Sequence, residues 1–341
     1  MMQSKITCLL IILITSVCIL PAFSFEISQV KVGASPWAVS VNPSTDKIYV
    51  TNSGNDSVSV IDGKTDTVIK NIIVGENPTG VAVNQATNLI YVSKFSIPTV
   101  SVIDGNTDTV IATIPVRAQP NGIGINEITN QIYVTNTGAA SVSVIDGKTN
   151  SIIKTISVAA RPTAVTVNPS TNIAYVTNSG NGSVSIIDGK TNSIIKTIPV
   201  GSGTTGVAIN QETNMIYISS SKTAKIFVIY GNTNTITANV TVGSNPDGVS
   251  VDAKLGRIYV ANSGDGTISV IDGKTNTVSE TIPVGTHVYG IAVDPSTGII
   301  YAGNDSPGIV YVISDSEKSQ VVNHDIWYGI VQFFSHLFNL K

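Results

Sequence analysis

Bulky β-branched residues alternate with small or polar ones in short bursts along most of this chain, and Gly, Asn, Pro and Asp gather between the bursts. Between Val158 and Pro199 the bursts are Ala164–Val167, Ile173–Thr177, Ser183–Ile187 and a last one running from Ile194 to Val200. Alternation with period two marks a strand packed on both faces or half-buried, and Asn168–Asn172, Asn178–Gly182 and Asp188-Gly189 between them carry turn chemistry. Four short antiparallel strands joined by tight turns are predicted here.

The pattern returns every 42 residues, seven times without insertion or deletion, in units opening at Val32, Val74, Val116, Val158, Val200, Val242 and Val284. One offset is always tyrosine: Tyr49, Tyr91, Tyr133, Tyr175, Tyr217, Tyr259 and Tyr301. A unit of this size buries its apolar faces only against copies of itself, and four strands in about 42 residues match the blade of a β-propeller. The expected fold is all-β, a seven-bladed β-propeller of four-stranded blades over residues 25–320. The first strand of each unit belongs innermost. Its leading position is Ala38, Gly80, Gly122, Ala164, Gly206, Gly248 or Gly290, small enough for sheets to converge near an axis. The seventh unit loses its pattern after Ile313, and Phe25–Lys31 runs into Val32-Gly33 as fourth strands do elsewhere. This N-terminal strand is expected to complete the last blade, closing the ring and removing its open edges.

The phrase Ile-Tyr-Val-Thr-Asn at 48–52 and 132–136, Ala-Tyr-Val-Thr-Asn at 174–178, Asn-Pro-Ser-Thr at 42–45 and Ile-Asp-Gly-Lys-Thr at 61–65 resemble the signature of the YVTN-repeat β-propeller family. The similarity covers residues 25–313, with departures at Tyr91-Val92-Ser93-Lys94-Phe95 and Ile229-Tyr230-Gly231. It implies a secreted or cell-surface propeller similar to YncE-like proteins and to archaeal surface-layer-associated propellers. No shared catalytic motif comes with it.

The two ends depart from the repeat. Lys5, the apolar run Ile6–Leu20 and the small-x-small ending at Ser24 read as a secretory signal peptide over residues 1–24, the run being short for a membrane span. Residues 321–341 predict a C-terminal amphipathic helix. Within 326–341, Ile326, Ile330, Phe333, Leu337 and Leu340 form one stripe, widened by Trp327, Phe334 and Phe338. That stripe suits docking on the ring, peripheral membrane attachment or self-association.

Composition excludes several chemistries. Charged residues make up 12% and the net charge is −3 without a basic run, so no nucleic-acid partner is expected. Cys8 and Cys18 both lie in the leader, leaving the mature chain no thiols for disulfides, nucleophiles or metal sites. Gly63-Lys64-Thr65 ends like a phosphate-binding loop, but Val58 stands where that loop needs glycine. Asp62, Asp104, Asp146, Asp188 and Asp272 each stand alone in a turn, lacking calcium-loop spacing, and read as turn acceptors. His287, His324 and His336 show no zinc-ligand spacing, and no nucleophile elbow occurs. No catalytic residue, metal or cofactor is expected.

Scaffold repeats, whereas a site should show where blades differ. In the loop before each inner strand, the fourth position reads Ser35, Asn77, Gln119, Arg161, Gly203, Asn245 and His287, and the sixth reads Trp37, Thr79, Asn121, Thr163, Thr205, Asp247 and Tyr289. Glu76 lies in the same loop of the second unit. From these, Trp37, Glu76, Asn77, Gln119, Asn121, Arg161, Asp247, His287 and Tyr289 are expected to ring one mouth of the axial channel and bind a protein, glycan or small ligand. Sequons at Asn55, Asn181, Asn239 and Asn304 are candidate glycosylation acceptors. The expected function is a non-enzymatic binding scaffold, secreted or at the cell surface (periplasmic in a Gram-negative host). The alternatives are a lactonase- or dehydrogenase-like propeller enzyme and a structural surface-layer component.

Overall fold

A computed structural model describes residues 25–315. The expected signal peptide, residues 316–320 and the expected C-terminal helix lie outside the described residues.

Seven four-stranded antiparallel sheets form the fold. In the fourth blade the strands are Pro162–Asn168, Ile173–Asn178, Ser183–Asp188 and Ser193–Pro199, each paired with its sequence neighbour. Tyr175 stands opposite Thr166 on one side and Ile186 on the other. Five other blades repeat this order. In the seventh, Phe25–Lys31 lies outermost, followed inward by Ile309–Asp315, Ile300–Asn304 and Val288–Val293. The N-terminal strand is the clasp that the degraded seventh repeat implied.

The cores lie between neighbouring blades. Tyr49, Val58, Val60 and Ile72 of the first blade pack with Val81, Val83, Ile90 and Val92 of the second. At the closure, Val30 of the N-terminal strand joins Tyr301, Val310 and Val312 against Val39, Ile48, Val50 and Ile61 of the first blade. The clasp therefore buries apolar surface as well as pairing an edge.

The invariant tyrosine is a tie between blades. The hydroxyls of Tyr49, Tyr91, Tyr133 and Tyr175 donate to side-chain oxygens of Asp108, Asn150, Asn192 and Asn234 in the following blade, at 3.3–3.4 Å. Those acceptors hold left-handed backbone, φ 50–53°, which Asn and Asp tolerate best after glycine. Burial pushes the phenols of Tyr91, Tyr133, Tyr175 and Tyr217 up to about 12. The recurrent aspartates serve their turns: Oδ1 of Asp62, Asp104, Asp146, Asp188 and Asp272 accepts the N–H two residues on, at 2.7–2.9 Å. Backbone N–H groups of Thr275 and Lys274 accordingly hold Asp272 below the usual carboxylate range.

Candidate functional site at the channel mouth

Each inner strand begins with a β-bulge. Its register to the second strand slips between Pro36 and Val39, Pro78 and Val81, Pro120 and Ile123, Pro162 and Val165, Thr204 and Val207, Pro246 and Val249, and Val288 and Ile291. A bulge frees a residue from the ladder and re-aims its side chain. The first residue of each bulge is the variable sixth position, and all seven line one cavity of about 250 Å³ at the channel mouth. The second is always Ala or Gly because the next blade is so close. A Cβ on Gly248 or Gly290 would run into the carbonyl of Tyr289 or Trp37.

The character of this mouth is uneven. Thr79, Asn121, Thr163 and Thr205 supply small polar groups, while Asp247, Tyr289 and Trp37 occupy three consecutive blades, the sixth, seventh and first. Trp37 stacks on Tyr289 with ring centroids 4.8 Å apart and planes 19° from parallel. Asp247 is the only carboxylate among the lining residues, and Lys, Arg and His are absent from them. Burial pushes its carboxyl up to about 6, against the opposing pull of the Thr205 hydroxyl. The Tyr289 phenol is raised by burial and then by the negative charges of Asp305 and Asp247.

The fourth position does different work. Ser35, Asn77, Gln119, Arg161, Gly203, Asn245 and His287 all have positive φ, between 51° and 78°. Their carbonyls accept the N–H of Ser53, Phe95, Thr137, Ser179, Ser221, Ser263 and Asp305 at 2.8–3.2 Å. This position is a left-handed turn whose carbonyl ties the loop to the end of the second strand, so its side chain varies freely. Gln119, Arg161, His287 and the adjacent Glu76 are exposed, Asn77 is half-buried, and none of them lines the mouth cavity. His287 Nδ1 lies 3.9 Å from Asp305. Of the nine expected site residues, the structure gathers Trp37, Asn121, Asp247 and Tyr289 and leaves the other five in the outer loop. Asn and Gly at the fourth position were the available sequence signal for a left-handed turn.

Behind the mouth, a hydroxyl in the second strand latches each of the first five blades to the next. Thr51, Thr135, Thr177 and Ser219 donate to the carbonyls of Thr79, Thr163, Thr205 and Asp247 at 2.6–2.9 Å, and Ser93 donates to that of Asn121. The same oxygens accept the N–H of Ala38, Gly80, Gly122, Ala164 and Gly206. In the sixth and seventh blades this place is held by Ala261 and Gly303, which carry no hydroxyl.

The opposite end of the channel holds a cavity of about 630 Å³ bordered by Gln85, Gln211, Glu212 and Lys254, which the sequence reading did not single out. Its sequence signal is the polar position directly after the conserved-offset Asn84 and Asn210. Elsewhere, Lys94 stands where five other blades place a buried Asn and the fifth blade a buried Ser, and burial pulls its ammonium below the ordinary value. Asn55, Asn181 and Asn239 are exposed. Asn304 is buried at a strand end and its amide donates to the Thr286 carbonyl at 2.8 Å, so it does not offer the accessible turn that its sequon suggested.

Among solved structures, a chain of hydrazine synthase from Kuenenia stuttgartiensis is similar, with a TM-score of 0.75 and 18% identity over 84% of this chain and 97% of that chain. Likeness of this kind extends to 1557 solved chains and concerns the propeller fold, which by itself selects no chemistry. No protein-family model matches the chain, and no curated protein matches it.

Proposed function

We propose that this chain is a YVTN-repeat propeller acting as a binding scaffold outside the cytoplasm, secreted or held at the cell surface, with its ligand at the mouth formed by the seven bulges. The observation that carries this reading is the gathering of Trp37, Tyr289 and Asp247 on three consecutive blades around a concave cavity. Repeats with a purely scaffolding role would keep one residue type at this place. Here it departs from Thr and Asn toward two aromatics and a lone carboxylate. Partly exposed aromatics beside a few fixed polar groups are the usual makings of a small recognition site. A small ligand, or the protruding tip of a protein or glycan, fits its dimensions.

The test is a screen of cell-surface glycans, peptides and small metabolites against the full chain and a Trp37→Ala/Asp247→Ala/Tyr289→Ala variant, with thermal melting as the folding control. Ligands held by the parent and lost by a variant that melts within a few degrees of it support the mouth as the site. Ligands retained by that variant would move recognition to the opposite end of the channel or to the rim.

A further inference from the structure

We propose that the mouth selects a small organic cation, an ammonium group seated against the Trp37–Tyr289 pair with the Asp247 carboxylate as its counter-ion. This rests on the mouth being the binding site and adds the chemical class of its ligand.

Three features converge on a cation. The aromatic pair offers π faces, whose negative quadrupole attracts positive charge, and Trp37 is 37% exposed to receive it. Asp247 has no cationic partner among the lining residues, so its negative charge at a half-buried wall is uncompensated until a ligand brings one. No Lys, Arg or His lines the cavity to repel a cation or to favour an anion. Burial raises the Asp247 carboxyl, and no cationic lining residue offsets it.

A neutral sugar is served less well, because it needs several free donors and acceptors aimed inward. The hydroxyls of Thr79 and Thr163 are already turned toward the carbonyls of Pro120 and Thr205, at 3.3 and 3.2 Å, and that of Thr205 lies 3.1 Å from the carbonyl of Pro246. A hard divalent cation is served worse still, since it requires about six oxygen ligands and one carboxylate is present. At about 250 Å³ the cavity admits a compact headgroup and excludes a bulky polymer.

The pH dependence has a definite sign. Asp247 is ionised above its pKa of about 6 and neutral below it, so affinity for a cation falls as pH drops through that value. The groups facing Asp247 do not change this. The neighbouring inner strand Thr204–Asn210 carries nothing titratable, Tyr289 stays a neutral phenol in this range, and His287 and Asp305, 3.9 Å apart, are not among the lining residues.

The experiment is calorimetric titration of the full chain with choline chloride and tetramethylammonium chloride. Controls are 3,3-dimethylbutan-1-ol (the neutral isostere of choline), a neutral disaccharide and calcium chloride. Both ammonium probes should bind, with the neutral isostere at least ~10-fold weaker. Asp247→Asn should weaken choline by a similar factor, leave the isostere unchanged and abolish the pH dependence between 7 and 5. Trp37→Ala should remove choline binding and Trp37→Phe should restore part of it, which separates lost recognition from lost folding. Equal binding of choline and its isostere, undiminished binding by Asp247→Asn, or no ammonium binding to the parent would each overturn the cation assignment. Disaccharide binding that Trp37→Ala removes would overturn it while leaving the mouth as the site. Ammonium binding untouched by every mouth variant would overturn both.

Discussion

The junctions between the first six blades and the two junctions flanking the seventh are built differently. From the first blade to the sixth, each blade is latched to the next by a Thr or Ser hydroxyl. A second ladder at the far end of the channel runs from Asn42, Asn84, Asn126 and Asn168 to Asn88, Asn130, Asn172 and Asn214, at 2.7–2.8 Å. Around the seventh blade the hydroxyl latch lapses, with Ala261 and Gly303 in its place, and the ladder stops one junction earlier, where Gly256 and then Gly298 stand at its acceptor position. Apolar packing of Val30, Val310 and Val312 against the first blade and the Trp37–Tyr289 stack hold that side of the ring instead. The aromatic, acidic arc of the mouth thus sits where the repeated polar ties are fewest. Constraint on the repeat is tightest where a blade is only scaffold.

Removing residues 25–31 should break this comparison most severely. The seventh blade would lose its outer strand, the buried Val30 and its share of the closing core, a loss of at least about 3 kcal/mol. Size-exclusion chromatography and thermal melting should show aggregation and a lowered midpoint; an unchanged monomer would show that the clasp is dispensable. Next in size is Thr177→Val, which keeps shape but leaves the Ala164 N–H without its partner and the Thr205 carbonyl with only the longer contact from the Thr163 hydroxyl. Urea unfolding should report a loss of about 1–3 kcal/mol. A loss near zero would mean that the latch is ornamental and the two kinds of junction equivalent. The smallest effect is a gain. A Cβ on Gly303 would meet nothing closer than 3.6 Å, so Gly303→Ser can install the missing hydroxyl facing the first blade. Its stability should rise by about 0.5–1 kcal/mol, partly because serine narrows the unfolded ensemble. Destabilisation in the same urea experiment would show that the seventh blade needs its glycine.

Much of the scaffold was legible because repetition exposes it. A tyrosine at one offset in seven units announces a packing role, and the hydroxyl ties from Tyr49 to Asp108 and from Tyr175 to Asn234 supply the reason. The clasp was legible for a related reason: a pattern missing after Ile313 and present before Val32 has one simple completion. The site was half legible. The fourth and sixth loop positions are equally variable in sequence, yet one is a left-handed turn speaking through its carbonyl and the other is the bulge residue facing the channel. Arg161 and His287 were grouped with the mouth because variability alone does not say which way a side chain is aimed.

The sequence by itself determined the number of blades, the strand order within each, the turn chemistry and the need for the first strand to return to the last blade. These follow from local period, turn residues and the requirement that apolar faces be covered, all of which are written along the chain. Only the tertiary structure decided which variable residues share a cavity. Trp37 and Tyr289 stand near opposite ends of the propeller sequence and meet because closure makes the seventh and first blades neighbours. Asp247 acquires its raised carboxyl from burial at a wall made by other blades. Proximity across a closed ring and the electrostatic cost of a wall built from distant strands are properties of the closed ring and are not carried by any local stretch of sequence.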